Sequence, residues 1–187
     1  MVSDFPVIVD ACVLVQAAVR DTLLRLFERQ LFLARWTDEI IEETVRTLQD
    51  KRGRTVEQTN HLVNELSTHF PDAWVEQGYQ ELIPAMTNQH KDRHVLAAAV
   101  KTSSEVIVTY NLRDFPEESL KPFGIGVKHP DEFLINLYYV DSEIVVHELH
   151  QQGVALSKPR TIAEVLKSLE MCRCMQFAQL IRQKLAL

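Results

Sequence analysis

Three acidic side chains stand where short apolar segments end or where a helix is expected to begin. Asp10 follows the apolar run of residues 7–9, and Asp114 closely follows the run of residues 106–108. Asp92 opens a segment of small residues that is typical of a helix. Carboxylate oxygens that converge from distant parts of a chain are preferred ligands of hard cations such as Mg²⁺. The pattern therefore predicts a metal site.

Other polar side chains near these acids extend the predicted set. Thr109 and Asn111 precede Asp114 and carry a hydroxyl and an amide that are suited to holding acids or waters in place. A fourth acid is expected from the helix of residues 38–50. On that helix Glu43 lies at the edge of the apolar face, whereas Glu39 and Glu42 point further toward solvent.

The elements that must position these residues are short strands and amphipathic helices. The runs at residues 7–9 and 106–109 are apolar without alternation, which is typical of strands buried on both faces. Helices alternate with such strands, so we expect a three-layer α/β/α fold with a central, mostly parallel sheet. In such sheets ligands bind beyond the carboxyl ends of the strands. The expected helices are residues 21–33, 38–50, 56–70 and 93–102, with further short strands at 73–75 and 125–127.

The chain changes character after residue 131, from where every apolar pattern is helical. Helices are predicted at residues 132–140, 143–152, 162–172 and 175–185. We therefore divide the chain into an α/β domain, residues 1–135, and a helical C-terminal extension, residues 136–187.

Composition indicates a cytoplasmic protein that makes no use of a membrane. No apolar run approaches the roughly 18 residues of a membrane span, and no secretory signal is visible at the N-terminus. Three cysteines are too few and too odd in number for a disulfide framework. The net charge of −6 argues weakly against nucleic-acid binding. Basic residues nevertheless form two clusters in the sequence, which are compatible with a local basic rim. The clusters are Lys51, Arg52 and Arg54, and Lys91, Arg93 and Arg113.

Single residues also have simpler interpretations. Asp92 alone is an expected N-cap of its helix, and His94 beside it is as suited to packing as to chemistry. The pair His147 and His150 lacks a third metal ligand and the HExxH spacing, so a solvated helix face is the favoured interpretation. It is the coincidence of several acids at one predicted sheet edge that favours a functional site.

Four segments, in this order, resemble the PIN domain family, the nuclease fold of many prokaryotic toxin–antitoxin toxins. They read VDACVL, WTDEIIEETVRTL, DRHVLAAAV and VTYNLRDFP. The resemblance covers roughly residues 5–135 and is closest to the VapC-like branch of ribonucleases.

The resemblance implies a ribonuclease that depends on Mg²⁺ or Mn²⁺ and acts on RNA. The family's four acids match Asp10, Glu43, Asp92 and Asp114, of which Asp10, Asp92 and Asp114 are the expected metal ligands. Many relatives have an aspartate where Asn111 stands, so Asp114 takes the fourth acidic role here. The resemblance also implies a protein antitoxin as partner and a homodimer.

Two other functions are compatible with a strand-end aspartate. An aspartyl-nucleophile phosphohydrolase requires a second Asp two residues after the first, and this chain has Cys12 there. A PIN-like module that binds RNA or protein with weak or no catalysis is the alternative that Asn111 keeps open.

Overall fold

The computed structural model of the chain describes residues 5–75 and 77–187. The expected lack of a secretory signal concerns residues 1–10, of which 1–4 lie outside this part. Within the described residues, four strands form one entirely parallel sheet in the order β2-β1-β3-β4. The strands are β1 Pro6–Val9, β2 Leu33–Arg35, β3 Val106–Val108 and β4 Gly126–Lys128.

Helices cover the sheet and give the predicted three-layer α/β/α architecture with C-terminal helices. The first six are α1 Ala11–Leu14, α2 Ala17–Glu28, α3 Asp38–Arg52, α4 Val56–His69, α5 Arg93–Lys101 and α6 Glu117–Leu120. The C-terminal ones are α7 Pro130–Val140, α8 Ser142–Val154, α9 Ile162–Met171 and α10 Met175–Leu185. Three of these helices begin at a threonine whose hydroxyl accepts an N–H of the first turn: Thr37 for α3, Thr55 for α4 and Thr161 for α9.

The central strands are apolar because both of their faces are covered. Val7, Ile8 and Val9 of β1 pair in register with Val106, Ile107 and Val108 of β3, and all six side chains are buried. The chain runs from β1 to β2 on one side and later to β3 on the other side. This arrangement opens a crevice at the carboxyl ends of β1 and β3, which is the usual ligand position in such sheets.

Two of the expected elements are wrong in part. The helix expected at residues 21–33 spans Ala17–Glu28, and Leu33–Arg35 instead pairs with β1 as a strand. The strand expected at 73–75 is reduced to a single bridge between Trp36 and Trp74. The edge strand expected at 125–127 is confirmed, as Gly126–Lys128. Short strands of this kind are defined by pairing with distant residues, which local sequence patterns do not contain.

The C-terminal helices are joined to the α/β layers by buried polar contacts. The carboxylate of Glu148 on α8 accepts a hydrogen bond from Arg29 of α2 at 2.6 Å. Thr22 of α2 donates to Gln152 of α8 at 2.7 Å. Buried Asp131 of α7 accepts backbone N–H groups at the start of α10. No helix in the described part of the chain is long and apolar enough to cross a membrane.

Candidate functional site

Asp10 lies at the carboxyl end of β1, at the crevice between β1 and β3. Its backbone N–H donates to the carbonyl of Val108 at 3.1 Å, so the end of β1 is fixed against β3. The side chain is only 3% exposed. A buried carboxylate has to be compensated by hydrogen bonds or by cations, and its partners therefore define the site.

Hydrogen bonds hold the Asp10 carboxylate in one orientation. The Thr109 hydroxyl donates to Oδ2 of Asp10 at 2.6 Å, and the Cys12 thiol donates to the same oxygen at 3.0 Å. Thr109 in turn accepts the backbone N–H of Asn111 at 3.0 Å. Neither of these hydrogen bonds uses Oδ1 of Asp10, and Asp10 is among the residues that line the cleft described below. Burial, followed by the charge of Asp10, raises the pKa of the Cys12 thiol, which stays protonated as a donor.

Tyr110 connects this network to the C-terminal extension. Its backbone N–H donates to the sulfur of Cys12 at 3.3 Å, and its hydroxyl donates to the carbonyl of Cys172 at 2.7 Å. Its ring packs edge-on against His129, at a centroid distance of 4.9 Å. The loop that carries Thr109 and Asn111 is thus tied directly to the turn between α9 and α10.

Asp92 lies in surroundings that disfavour its negative charge. It lies at the N-cap position of α5, but its side chain makes no capping hydrogen bond, so the expected N-cap role of the side chain is wrong. Its side chain is buried, and among the described residues its Oδ2 has no hydrogen-bond partner. Burial, together with the charges of Asp10 and Asp114 and against that of Lys91, raises the pKa of Asp92 to about 7.

Lys91 is the cation nearest to these acids, and the sequence indicated it as part of a local basic rim but not its ion pairs with them. Its Nζ lies 2.9 Å from Oδ2 of Asp114 and 3.6 Å from Oδ2 of Asp92. The hydrogen bond to Asp114 is the main reason that the pKa of Lys91 is raised. The lysine side chain is 61% exposed. Because the ion pairs are open to solvent, water and other cations compete with Lys91 for the two carboxylates.

Glu43 faces the same crevice from α3. Oε2 of Glu43 is 3.9 Å from Nε2 of His94, and Oε1 is 3.8 Å from the Arg46 guanidinium. Burial raises the pKa of Glu43 despite His94, and the charge of Asp10 raises it further. His94 is buried and also approaches Glu39, at 3.8 Å. It therefore connects α5 to the acidic face of α3.

A cleft of ≈ 430 Å³ collects most of the expected site residues. Asp10, Glu43, Asp92 and Asn111 line it, together with Lys91. Asp114 is not among the lining residues and joins the group through its ion pair with Lys91. Thr109 is fully buried beneath Asp10 and reaches the cleft only through that carboxylate.

The donor set fits a hydrated divalent cation rather than a closed metal cage. Within residues 5–75 and 77–187, no three His, Cys, Asp or Glu side chains come close enough together to enclose a metal ion. Mg²⁺, however, takes one or two carboxylates and keeps several waters. The Oδ2 of Asp92, which accepts no hydrogen bond from a described residue and lies next to the charges of Asp10 and Asp114, is an oxygen that such a cation would satisfy.

The raised pKa of Asp92 predicts a pH-dependent response to metal. The folded chain holds this proton more tightly than the unfolded chain, whose aspartates titrate near pH ~4. Without metal, the free energy of unfolding should therefore fall as pH rises from about 4 to about 7 and then level off, as far as this group contributes. Cation binding requires the carboxylate, so stabilisation by Mg²⁺ should grow through pH ~7.

Thermal melting with and without Mg²⁺ between pH 5 and pH 8.5 measures this response. In Asp92→Asn the increase of the Mg²⁺-induced shift around pH ~7 should be lost. A variant that retains the wild-type pH profile would show that Asp92 does not control cation binding.

Two family models match the chain. The first, described as "PIN domain", matches residues 6–113, and the second, described as "VapC50 C-terminal domain", matches residues 130–183. The first match contains Asp10, Glu43, Asp92, Thr109 and Asn111, and Asp114 immediately follows its last residue.

One relative is a Mycobacterium tuberculosis protein named "Putative ribonuclease VapC50". The two chains are 59% identical over 59 residues, which is 32% of this chain and 35% of that protein. The chain thus matches about a third of the length of this relative. No solved structure matches the chain.

Proposed function

The chain belongs to the PIN domain family, and from this premise we propose that it is a divalent-metal-dependent endoribonuclease of a toxin–antitoxin pair. The observation that carries the proposal is the buried carboxylate of Asp92. It lies at the carboxyl edge of the sheet near Asp10, and its Oδ2 accepts no hydrogen bond from a described residue, with only the Lys91 ammonium near it at 3.6 Å. The ribonuclease name of the Mycobacterium relative supports the same class of reaction.

The proposed ligands are Asp10, Asp92 and Asp114, with Glu43 as the fourth catalytic acid. When bound, Mg²⁺ or Mn²⁺ supplies positive charge that polarises a phosphodiester and lowers the pKa of a water. Asp10 contributes an oxygen whose direction is fixed by Thr109 and Cys12. Asp114 has to exchange its contact with Lys91 for the cation.

Glu43 is suited to proton transfer. Its raised pKa keeps a proton available over a wider pH range than that of an exposed glutamate. His94 lies 3.9 Å from one of its carboxylate oxygens, and Arg46 lies 3.8 Å from the other. Asn111, at the rim of the cleft, offers an amide that is suited to orienting a water or the substrate.

The proposed partners are RNA as substrate, an antitoxin protein that covers the cleft, and a second copy of the chain in a homodimer. The proposed place of action is the cytoplasm. The proposal of these partners rests on the family and on the name of the relative. The chain matches about a third of the length of that relative.

One observation favours the alternative of a PIN-like binding module with weak or no catalysis. Lys91 already neutralises part of the charge of Asp92 and Asp114, and Asn111 contributes no charge. Such a site binds cations less strongly than a set of four unpaired acids, because ligand charge contributes to affinity for hard cations.

Cleavage of single-stranded RNA by the purified chain tests the proposal. We expect fragments with Mg²⁺ or Mn²⁺, none in EDTA, and recovery when Mg²⁺ is added in excess over the chelator. A parallel melting experiment should show that the same cation stabilises the chain. Stabilisation without cleavage would favour the binding module, whereas the absence of both would contradict the metal site itself.

A further inference from the structure

A second cavity with arginines along its lining adjoins the acidic cleft. We name it the basic groove; it has a volume of ≈ 560 Å³ and lies between the start of α2, the end of α3 and α4. Arg20, Arg52, Arg54 and His61 line it, and Glu65 is the single acidic residue among the lining residues that the structure describes. The groove is therefore positively charged in a chain whose net charge is −6.

The arginines of the basic groove are not neutralised by acids. Within residues 5–75 and 77–187, no ion pair joins Arg20, Arg52 or Arg54 to a carboxylate. The neighbouring acid, Asp21, pairs with Arg25 at 3.0 Å instead. Burial and the like charge of Arg54 lower the pKa of Arg20, against the charge of Asp21. Cations held near each other without direct ion pairs favour the binding of an anion.

The basic groove is continuous with the acidic cleft. Both cavities are lined by Val15, Gln16 and Arg52. The cleft also carries Arg46 and Lys51 on the side of α3. A row of positive charge thus leads from the proposed metal site, over the end of α3, into the basic groove.

The lining of the basic groove also indicates which part of a nucleic acid it would contact. Among the lining residues that the structure describes there is no Phe, Tyr or Trp. Bases of single strands are usually held by stacking on aromatic rings, whereas phosphates are held by arginine and lysine. The groove therefore has the chemistry for a phosphate backbone, whereas His61 is the single aromatic ring in its described lining on which a base can stack.

We propose that the basic groove holds the phosphate backbone of the RNA strand on one side of the bond that is cut in the acidic cleft. This inference rests on the proposed nuclease function, because it takes the strand in the cleft to be RNA. Contacts through Arg52 and Arg54 anchor the strand without selecting its sequence. An acidic protein segment is a less favoured occupant, because the groove leads directly to the place where a phosphodiester has to lie.

Binding of a fluorescent single-stranded RNA in EDTA tests the groove separately from catalysis. Anisotropy is measured over a series of salt concentrations for the wild-type chain and for the double variant Arg52→Gln, Arg54→Gln. The matched control is Lys167→Gln with Lys184→Gln, which removes the same charge from exposed positions of α9 and α10. We expect weaker binding of all RNA sequences by the groove variant. We also expect its plot of log affinity against log salt to flatten by about 1.4, which is ~0.7 for each lost phosphate contact.

The outcomes distinguish the proposed RNA-binding role of the groove from the proposed nuclease activity. Loss of affinity and of slope in the groove variant but not in the lysine control supports the groove, even if Mg²⁺ brings no cleavage. Equal slopes of log affinity against log salt in all three chains contradict the proposed role of the groove, even if the wild-type chain cleaves RNA with Mg²⁺. No measurable RNA binding by the wild-type chain overturns it as well.

Discussion

The variant Asp10→Asn should lose RNA cleavage by at least about 10²-fold while keeping the wild-type melting temperature within a few degrees. Removing a group that only supports a metal ligand typically costs about 10–100-fold, and Asp10 is proposed as a ligand itself. The fold should tolerate the change, because an amide oxygen accepts the same hydrogen bonds from Thr109 and Cys12 as Oδ2 does. Removal of a negative charge near Asp92 also relieves repulsion in the metal-free chain.

Cleavage rates at saturating Mg²⁺, with melting curves of the same preparations, measure this result. Glu42→Gln is the matched control, because Glu42 is an exposed acid on α3 beside Glu43. This variant should cleave RNA at the wild-type rate. If Asp10→Asn cleaves within a few-fold of the wild-type rate, Asp10 is not a metal ligand. If it loses activity and also unfolds, the loss has a structural cause.

The variant Gly153→Ala should be the most destabilising glycine substitution in the described chain. A Cβ at this position of α8 would lie 2.3 Å from the carbonyl oxygen of Arg160 and 3.3 Å from Val165. The backbone of Arg160 cannot move away easily, because its N–H donates to the carbonyl of Gly153 at 3.0 Å. Overpacking of this kind costs about 1–3 kcal/mol or more. The better helix propensity of alanine recovers at most ~1 kcal/mol of it.

Gly126→Ala is the control for this prediction. Its Cβ would meet the carbonyl oxygen of Glu105 at 3.6 Å, which is an ordinary contact. Chemical denaturation of both variants gives the difference in the free energy of unfolding. At about 2–4 °C for each kcal/mol in a chain of this size, Gly153→Ala should melt several degrees lower. Equal stability of the two variants would show that α8 and the residues before α9 are not packed as described.

Strands β1 and β3, which precede Asp10 and Asp114, were predictable from the sequence. Strand β2, which pairs with β1, was not. The runs of β1 and β3 are fully buried, and continuous apolar runs are what such strands require. Leu33–Arg35 has only three residues and follows directly on the apolar pattern of α2 through Leu31 and Phe32. It becomes a strand because Val7 of β1 pairs with Ala34. That pairing is a long-range property which periodicity does not record.

The site shows the same division between local and distant information. The end of the first apolar run and the start of the small-residue helix were sufficient to predict that Asp10 and Asp92 lie at one edge of the sheet, where both line the cleft. The ion pair between Lys91 and Asp114 depends on the path of two loops, so no spacing in the sequence indicates it. The proximity of Arg20 on α2 to Arg54 in the loop between α3 and α4 likewise depends on tertiary packing. The catalytic and ligand roles of the four acids remain predictions.

The hydrogen bond from Tyr110 to Cys172 has a consequence for work with shortened chains. A chain cut after α7 loses the acceptor of the Tyr110 hydroxyl, and the same tyrosine donates its backbone N–H to the Cys12 sulfur beside Asp10. The cut also exposes the surface of α2 that contacts α8. Low activity of such a fragment would therefore not measure what the removed helices do by themselves. Transplanting these helices onto another relative would likewise require a tyrosine and a carbonyl acceptor at matching places.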